Sequence, residues 1–288
     1  MRQALAELDD LVETAIASGD ASDLDIIGYG EISTVLRLTT ETASFAVKRL
    51  PPFPPGTFDR YSRVFHMYLE RLKALGATPV NSWLESFDRA NTTTVYCIQP
   101  MQHRLLVDRL ATADESTVAR YAAQLVSIVT QTVGPTVGLD AQVSNWAINP
   151  DDQLVYMDVT TPLMRDNAGE ELLDTDLFIA SLPAALRQGV ERFLLEEILG
   201  HYYDHRSALL DLVGNLKKEK LDHTVTPFLD EVNAVVEPQI TSREIHRYYR
   251  SDALMWEVLQ RLRRTDRWWQ QMIRRRSYPF ILPGRIER

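Results

Sequence analysis

The sequence contains one cysteine in 288 residues, and only 12 glycines and 14 prolines. A disulfide-stabilised scaffold needs cysteine pairs, and collagen-like or low-complexity chains need far more glycine and proline. The longest stretch without a charged residue runs from Tyr121 to Leu139, but two glutamines, a serine, three threonines, two glycines and a proline make it a poor membrane span. These absences predict a globular protein without disulfides and without a place in the membrane.

Lysine is absent from residues 241–288, which hold 12 arginines and five acidic residues and therefore carry +7. Residues 1–240, with 19 basic and 35 acidic side chains, carry −16. Arginines beside Trp268 and Trp269 could contact the phosphates and bases of a nucleic acid. For a chain with a net charge of −9, we instead favour docking of this segment on protein, within the chain or between subunits.

The rest of the composition, 45% hydrophobic and 25% charged residues, is typical of a compact globular protein. Cys97 lies in the apolar run Val95-Tyr96-Cys97-Ile98, which favours a buried small side chain over a thiol nucleophile. The N-terminal residues have the apolar spacing of a helix and lack the basic start and continuous apolar core of a signal peptide. We therefore expect a cytoplasmic protein.

Hydrophobic patterning divides the chain into a β-rich first part and a helical second part. After an N-terminal helix, it predicts strands within residues 24–38, at 43–50, at 83–87 and at 93–98, with a helix at 59–75. Later helices include one that starts at the capping-box spacing of Thr112 to Glu115 and one over residues 251–276. The prediction is an α+β fold with a β-rich part, residues 1–101, and a helical part, residues 102–288.

A glycine-rich turn, Gly28-Tyr29-Gly30-Glu31-Ile32-Ser33, lies between two predicted strands. Glycine lets the backbone approach a ligand and direct N–H groups at phosphates, although the same residues fit an ordinary hairpin turn. A strand rather than a helix follows the turn, which argues against a dinucleotide-binding fold.

Two predicted strands follow the glycine-rich turn, and Lys48 ends the second of them, which is apolar. Its ammonium group could neutralise nucleotide phosphates, or it could simply be a solvated lysine on a strand. Glu70, on the following predicted helix, could pair with Lys48 and hold it in place. Alternatively, Glu70 forms a surface pair with Lys73, three positions further along the helix.

Asp140 and Asn145 lie five positions apart in an irregular segment that follows a predicted helix. An aspartate can deprotonate a hydroxyl nucleophile, and an amide oxygen can bind a hard cation such as Mg²⁺. Both side chains could instead stabilise a turn. Asp158 ends the next apolar strand after Asn145, where it is either a metal ligand or a residue that terminates the strand.

In order and spacing, this series of glycine-rich hairpin, strand lysine, helix glutamate, Asp-x4-Asn and strand-end aspartate resembles the protein kinase-like superfamily. The intervals from Asp140 to Asn145 and from Asn145 to Asp158 agree with the catalytic and metal-binding segments of that family. The resemblance implies a two-lobed fold that binds ATP and Mg²⁺. A small β-rich lobe with one main helix would hold the nucleotide, and the larger lobe would be mostly helical.

The resemblance also assigns roles in nucleotide binding to residues of the β-rich part. Gly28, Gly30 and Ser33 would cover the ATP phosphates. Lys48 would contact the phosphates and pair with Glu70.

Further along the chain, the segment from Gln99 to Met101 looks like the hinge whose backbone holds the adenine. Asp140 would be the catalytic aspartate, and Asn145 and Asp158 would hold Mg²⁺ between phosphate oxygens. Catalysis in such a site is mainly positioning and charge stabilisation.

Within the superfamily, the chain is more similar to aminoglycoside and choline kinases than to protein kinases. No Ala-Pro-Glu motif follows, and Asp158-Val159-Thr160 lacks the Phe-Gly of the protein-kinase motif, so a small-molecule hydroxyl acceptor is favoured. However, the segment from Gly138 to Asn145 lacks both histidines of the aminoglycoside-kinase pattern, and Gln142 replaces a phosphate-contacting lysine of protein kinases. The alternative is therefore an inactive, pseudokinase-like regulatory protein that binds nucleotide.

Overall fold

The structure, a computed structural model, describes residues 1–29, 33–89, 91–174 and 199–273, together with residues 275, 278 and 281. Its helices are α1 (Arg2–Ser18), α2 (Phe58–Leu75), α3 (Leu106–Ala111), α4 (Glu115–Thr132), α5 (His205–Lys218), α6 (Val225–Asn233) and α7 (Ser242–Trp268). Its strands are β1 (Ile26–Tyr29), β2 (Thr34–Thr39), β3 (Ser44–Arg49), β4 (Trp83–Asp88), β5 (Thr93–Pro100), β6 (Trp146–Ile148) and β7 (Leu154–Tyr156).

Five strands form one antiparallel sheet in the order β1-β2-β3-β5-β4, and β6 pairs with β7 in a separate hairpin. Helix α2 connects β3 to β4, as the sequence pattern predicts. The predicted α+β fold class is confirmed. No helix in the described part of the chain is both long enough and apolar enough to cross a membrane.

The large sheet is buried on both faces, as the alternation along β5 shows. Tyr96 and Ile98 pack with α1 in one hydrophobic cluster, whereas Val95 and Cys97 belong to the larger cluster that includes α2, α4 and α5. Successive side chains of a strand point to opposite faces of its sheet. A strand between two cores is therefore apolar at every position, which explains the uninterrupted run around Cys97.

Helix α2 covers the second face of the sheet with an aromatic stripe. Tyr61, Phe65 and Tyr68 are spaced at intervals of four and three positions, so they share one side of the helix, and all three are buried. Gly76 ends the helix with a φ of 101°, a left-handed conformation that glycine adopts without strain. This stop agrees with the predicted helix end.

The predicted start of α4 was wrong. Asp114, not Thr112, caps α4, because its carboxylate accepts a hydrogen bond from the backbone N–H of Thr117 at 2.8 Å. Helix α7, which contains most of the predicted helical residues 251–276, begins at Ser242, where the Thr241 hydroxyl accepts from the backbone N–H of Glu244 at 3.2 Å. It ends at Trp268, and a π-helical turn over Trp269–Ile273 follows.

The C-terminal segment returns to the first part of the chain. The Thr34 hydroxyl, at the start of β2, donates to the carbonyl oxygen of Ile281 at 3.2 Å, and Ile281 packs against the cluster beneath α1. Arg267 donates to the carbonyl oxygen of Gly19, just beyond α1, at 3.2 Å. These contacts dock the arginine-rich segment within the chain.

Candidate functional site

The candidate site begins with Lys48, which the large sheet places in line with the glycine-rich hairpin. Gly28, Val35, Lys48 and Cys97 lie opposite one another on four neighbouring strands. Directly opposed residues point to the same face of a sheet. Because Cys97 belongs to the cluster on the α2 side, the Lys48 side chain lies on that side too, two strands or about 10 Å from Gly28.

On that face, Lys48 forms an ion pair with Asp158. Its Nζ lies 2.7 Å from Oδ1 of Asp158, and the two side chains are only 20% and 26% exposed. Burial alone would raise the pKa of Asp158, but the charge of Lys48 and the hydrogen bonds from Lys48 and Thr160 hold it below its usual value. Asp158 is therefore a carboxylate at neutral pH.

The register of the β6–β7 hairpin explains the interval between Asn145 and Asp158. Trp146 pairs with Tyr156, and the N–H of Met157 donates to the carbonyl oxygen of Asn145 at 2.8 Å. Asn145 and Asp158 consequently flank the same end of the hairpin. The sequence interval thus reflects a local fold that brings an amide and a carboxylate together.

Asp140 joins these residues through the loop that precedes the hairpin. The amide nitrogen of Asn145 donates to the carbonyl oxygen of Asp140 at 3.2 Å, and the N–H of Gln142 donates to the Asp140 carboxylate at 3.3 Å. Burial and the nearby charges of Asp158 and Asp140 raise the pKa of Tyr68 far above its ordinary value. Hydrogen bonds connect Asp140 to Asn145, Asn145 to the residue before Asp158, and Asp158 to Lys48, so the four candidates from three chain segments converge.

The donor atoms present at this convergence fit a magnesium ion that shares ligands with phosphates. The Asn145 amide uses its nitrogen as a donor to Asp140, and Lys48 and Thr160 both bond Oδ1 of Asp158. The side-chain oxygen of Asn145 and the carboxylate of Asp158 are both groups that can bind a cation. Mg²⁺ is often held by one or two carboxylates, substrate phosphates and water.

No group of three His, Cys, Asp or Glu side chains that could hold a metal occurs in the part of the chain that the structure describes. Any metal bound between Asn145 and Asp158 therefore needs ligands from a bound molecule or water. The histidines His201 and His205, four positions apart, could also be considered as metal ligands, but they form no such group with a third ligand among the described residues. The His205 ring lies 3.0 Å from the carbonyl oxygen of Thr130, and His201 is exposed.

Two of the three predicted phosphate-covering residues can be located. Gly28 is in β1, where an added β-carbon would meet Val35 at 3.7 Å. Ser33 directly precedes β2, and its buried hydroxyl oxygen has no hydrogen-bond partner among the described residues. A buried hydroxyl without a partner is costly, and a phosphate oxygen would supply one. Gly30 lies outside the described residues.

The expected pair between Lys48 and Glu70 is not formed, although the structure describes both residues. Glu70 is exposed on α2, whereas the buried side of the helix carries the tyrosines. The hydroxyl of Tyr61 donates to the carbonyl oxygen of Thr160 at 2.9 Å, and that of Tyr68 donates to the carbonyl oxygen of Gly138 at 3.0 Å. Two phenols, not a glutamate, therefore connect α2 to the segments that carry Asp158 and Asp140.

The segment from Gln99 to Met101, which was expected to hold an adenine, forms hydrogen bonds with other residues of the chain. The N–H of Met101 donates to the carbonyl oxygen of Ser44 at 3.2 Å. The Gln99 side chain donates to Ser82 at 2.9 Å and to the carbonyl oxygen of Met157 at 2.8 Å. An adenine contact at the Met101 amide would require the bond to Ser44 to break. Gln99 instead ties β5 to the residue before Asp158.

Sequence reasoning did not identify the two tyrosines of α2, although their spacing of two helical turns was a usable signal. It also did not identify the partners of Gln142. The Gln142 amide donates to Asp211 at 3.3 Å and accepts from Lys218 at 3.5 Å, both on α5. The contact of Gln142 with Asp211 and Lys218 depends on how α5 packs against the loop, and the spacing of residues in a single sequence does not indicate such packing.

Cys97 fits its predicted role as a buried apolar side chain. It is 1% exposed and forms no disulfide. Burial raises the pKa of its thiol to about 12, despite the opposing charge of Lys48. The thiol is therefore protonated at neutral pH and is a poor nucleophile.

A separate surface pocket of about 470 Å³ lies between α4 and α6. Its lining includes the acidic side chains of Glu115, Asp230 and Glu231. It shares no lining residue with the candidate site around Lys48 and Asp158, so it supplies no part of that arrangement.

Comparison with known proteins gives one family. A search of curated proteins finds no match. A family model described as "Family of unknown function (DUF6206)" matches residues 7–267, which include every candidate site residue. The match extends over most of the 288-residue chain. The chain therefore belongs to the DUF6206 family.

Proposed function

We propose that this chain has a two-lobed, protein kinase-like fold and is an ATP- and Mg²⁺-dependent phosphotransferase that acts on a hydroxyl group of a small molecule. The observation that carries the proposal is the convergence of Lys48, Asp140, Asn145 and Asp158. Three separated segments supply them, and direct hydrogen bonds join those segments.

Each side chain has a task in such a reaction. Lys48 would bind nucleotide phosphates, and Asp140 would orient the acceptor hydroxyl and take its proton as the hydroxyl oxygen bonds to the γ-phosphorus. The bond from that phosphorus to the ADP oxygen breaks, and ADP leaves with its electron pair. Asn145 and Asp158 would hold Mg²⁺, which when bound neutralises charge on the phosphates.

The acceptor class follows from what the sequence carries after Asp158. Val159 and Thr160 are both buried in the structure, and Thr160 hydrogen-bonds Asp158 at 3.2 Å. The chain lacks the Phe-Gly and Ala-Pro-Glu motifs of protein kinases. A small-molecule acceptor therefore remains the proposal, and the buried thiol of Cys97 suits a reducing cytoplasm.

Thermal unfolding with ATP and Mg²⁺ tests the binding step. A ligand at ten times its dissociation constant adds about 1.4 kcal/mol of stability, which raises the Tm of a protein of this size by a few degrees. The Asp158→Ala variant should lose most of this rise. The matched Asp10→Ala variant, altered at an exposed position on α1, should keep it. The absence of any rise at millimolar nucleotide would refute the proposal.

A second candidate is a pseudokinase-like regulatory protein that binds nucleotide without turnover. Gln142 favours this reading, because a neutral amide stands two positions after Asp140 where protein kinases carry a lysine. A panel of small hydroxyl acceptors with labelled ATP separates the two. Transfer to any acceptor by the wild type identifies an enzyme, whereas nucleotide binding with no transfer across the panel favours the regulatory protein.

A further inference from the structure

The region beside Asp140 contains a polar network for which the proposed function has no role. Gln142 lies two positions after Asp140, and both ends of its amide contact helix α5. The nitrogen Nε2 donates to Oδ2 of Asp211 at 3.3 Å, and the oxygen Oε1 accepts from Nζ of Lys218 at 3.5 Å. Asp211 is buried and also accepts from the hydroxyl of Tyr248 at 2.9 Å. Gln142 is thus held from both sides.

One face of α5 supplies this network. Asp211, Asn215 and Lys218 follow one another at intervals of four and three positions, which places them on the same side of a helix. Because both Asp211 and Lys218 contact Gln142, this face is turned towards the Asp140 loop. Asn215 lies between them, is 4% exposed, and its buried Oδ1 has no hydrogen-bond partner among the described residues.

The network holds the cationic side chain of Lys218 beside Gln142, in a loop segment that has no basic residue of its own. Transfer of a phosphoryl group is assisted by positive charge near the terminal phosphate, and the amide of Gln142 cannot supply it. The ammonium group of Lys218 is bound to that amide and is partly buried. Among the described residues, Lys218 forms no ion pair, whereas its neighbour Lys217 lies 3.9 Å from Asp222.

We propose that Lys218, positioned by Gln142, binds the terminal phosphate of the nucleotide. The inference rests on the proposed function and adds a phosphate-binding residue from α5 to the site. Gln142 acts as a positioning residue, because it reaches Lys218 with its oxygen while Asp211 holds its nitrogen. The positive charge is thus supplied by Lys218 on α5, 76 positions after Gln142, and not by the loop itself.

Nucleotides that differ by one phosphate test the proposal without knowledge of the acceptor. Calorimetry would measure the affinity of a non-hydrolysable ATP analogue and of ADP, each with Mg²⁺. In Lys218→Gln, the analogue should bind about tenfold more weakly, since a charge-assisted hydrogen bond is lost, while ADP affinity should be unchanged. Lys218→Arg, which keeps the charge, should restore most of the difference. Lys217→Gln is the matched control and should change neither affinity.

Several results would overturn the inference. Equal weakening of both nucleotides, or no change in either, would show that Lys218 does not contact the terminal phosphate. A lowered Tm of Lys218→Gln without nucleotide, together with losses that Lys218→Arg does not restore, would show a structural role only. If the wild type binds neither nucleotide, the proposed function itself fails. If the wild type binds both and Lys218→Gln binds them with the same affinities, the inference fails alone.

Discussion

The ammonium nitrogen of Lys48 lies 2.7 Å from Oδ1 of Asp158, although 110 positions separate the two residues. This ion pair joins the third strand of the large sheet to the segment that follows the β6–β7 hairpin. Neither side chain is more than about a quarter exposed, so solvent screens the pair less than it would at the surface. Stability, acid sensitivity and ligand binding should therefore all depend on the same contact.

The first prediction concerns Lys48→Met and the pH dependence of stability. The substitution leaves the carboxylate of Asp158 without its cation and should lower the free energy of unfolding at pH 7 by about 1–3 kcal/mol. In the wild type, the lowered pKa of Asp158 stabilises the fold above the ordinary carboxyl pKa of about 3.9, and this contribution is lost as the pH falls through the lower folded-state value. The difference between variant and wild type should therefore shrink in acid.

Urea denaturation at pH 7 and at about pH 3.5 measures this difference. Asp158→Asn is the partner variant, because it removes the titrating group while keeping the side-chain volume. The double variant should be less destabilised than the sum of the two single variants. An unchanged difference at the two pH values would contradict the assignment of the pH effect to Asp158.

The second prediction separates catalysis from binding at Asp140. Asp140→Asn keeps an oxygen that can accept from the N–H of Gln142, which lies 3.3 Å from the native carboxylate. Because an amide cannot take the hydroxyl proton, transfer should fall by about 10²–10⁴-fold. The Tm rise with ATP and Mg²⁺ should persist. Transfer at the wild-type rate would exclude Asp140 as the base.

The third prediction tests the phenols of α2. Tyr68→Phe removes the donor to the buried carbonyl oxygen of Gly138, and Tyr61→Phe does the same at Thr160. Each change should cost about 1–3 kcal/mol of unfolding free energy, because a buried acceptor loses its partner. Tyr29→Phe, at a side chain that is 45% exposed, is the control and should change stability by less than about 0.5 kcal/mol.

The fourth prediction tests the packing of α5 against α7. A β-carbon on Gly214 would lie 2.9 Å from Cδ1 of Tyr248, whose hydroxyl binds Asp211. Gly214→Ala should destabilise the fold by about 1–3 kcal/mol through overpacking, which outweighs the gain of up to about 1 kcal/mol in helix propensity. At Gly200 a β-carbon meets nothing within 4 Å. Thermal unfolding of Gly200→Ala should therefore show no such loss.

Local patterning was sufficient for most of the sheet and for α2. The apolar patterns of the strands and the glycine at the end of α2 are signals carried by near neighbours in the chain, and the structure agrees with them. The proximity of Asn145 and Asp158 was predictable for the same reason, because the register of a hairpin depends on residues that are close in the chain.

Predictions failed where a distant partner decides the outcome. A glutamate with a lysine three positions later suits a surface as well as a site, and the partner that would distinguish them, Lys48, is distant in the chain. The resemblance to kinases also gives no sign that β3 lies alongside Met101 and accepts its N–H. The contacts of Gln142 with α5 depend on how helices pack, which neither charge nor spacing in the loop indicates.

The bond between Thr34 and Ile281 has a consequence for how the protein is made. The two residues are 247 positions apart, so a chain emerging from a ribosome cannot form this contact until Ile281 has been released. The end of β2 beside the glycine-rich hairpin therefore acquires this contact after the five strands of the sheet can already have folded. Long-range contacts of this kind form late because closing a large loop is entropically costly.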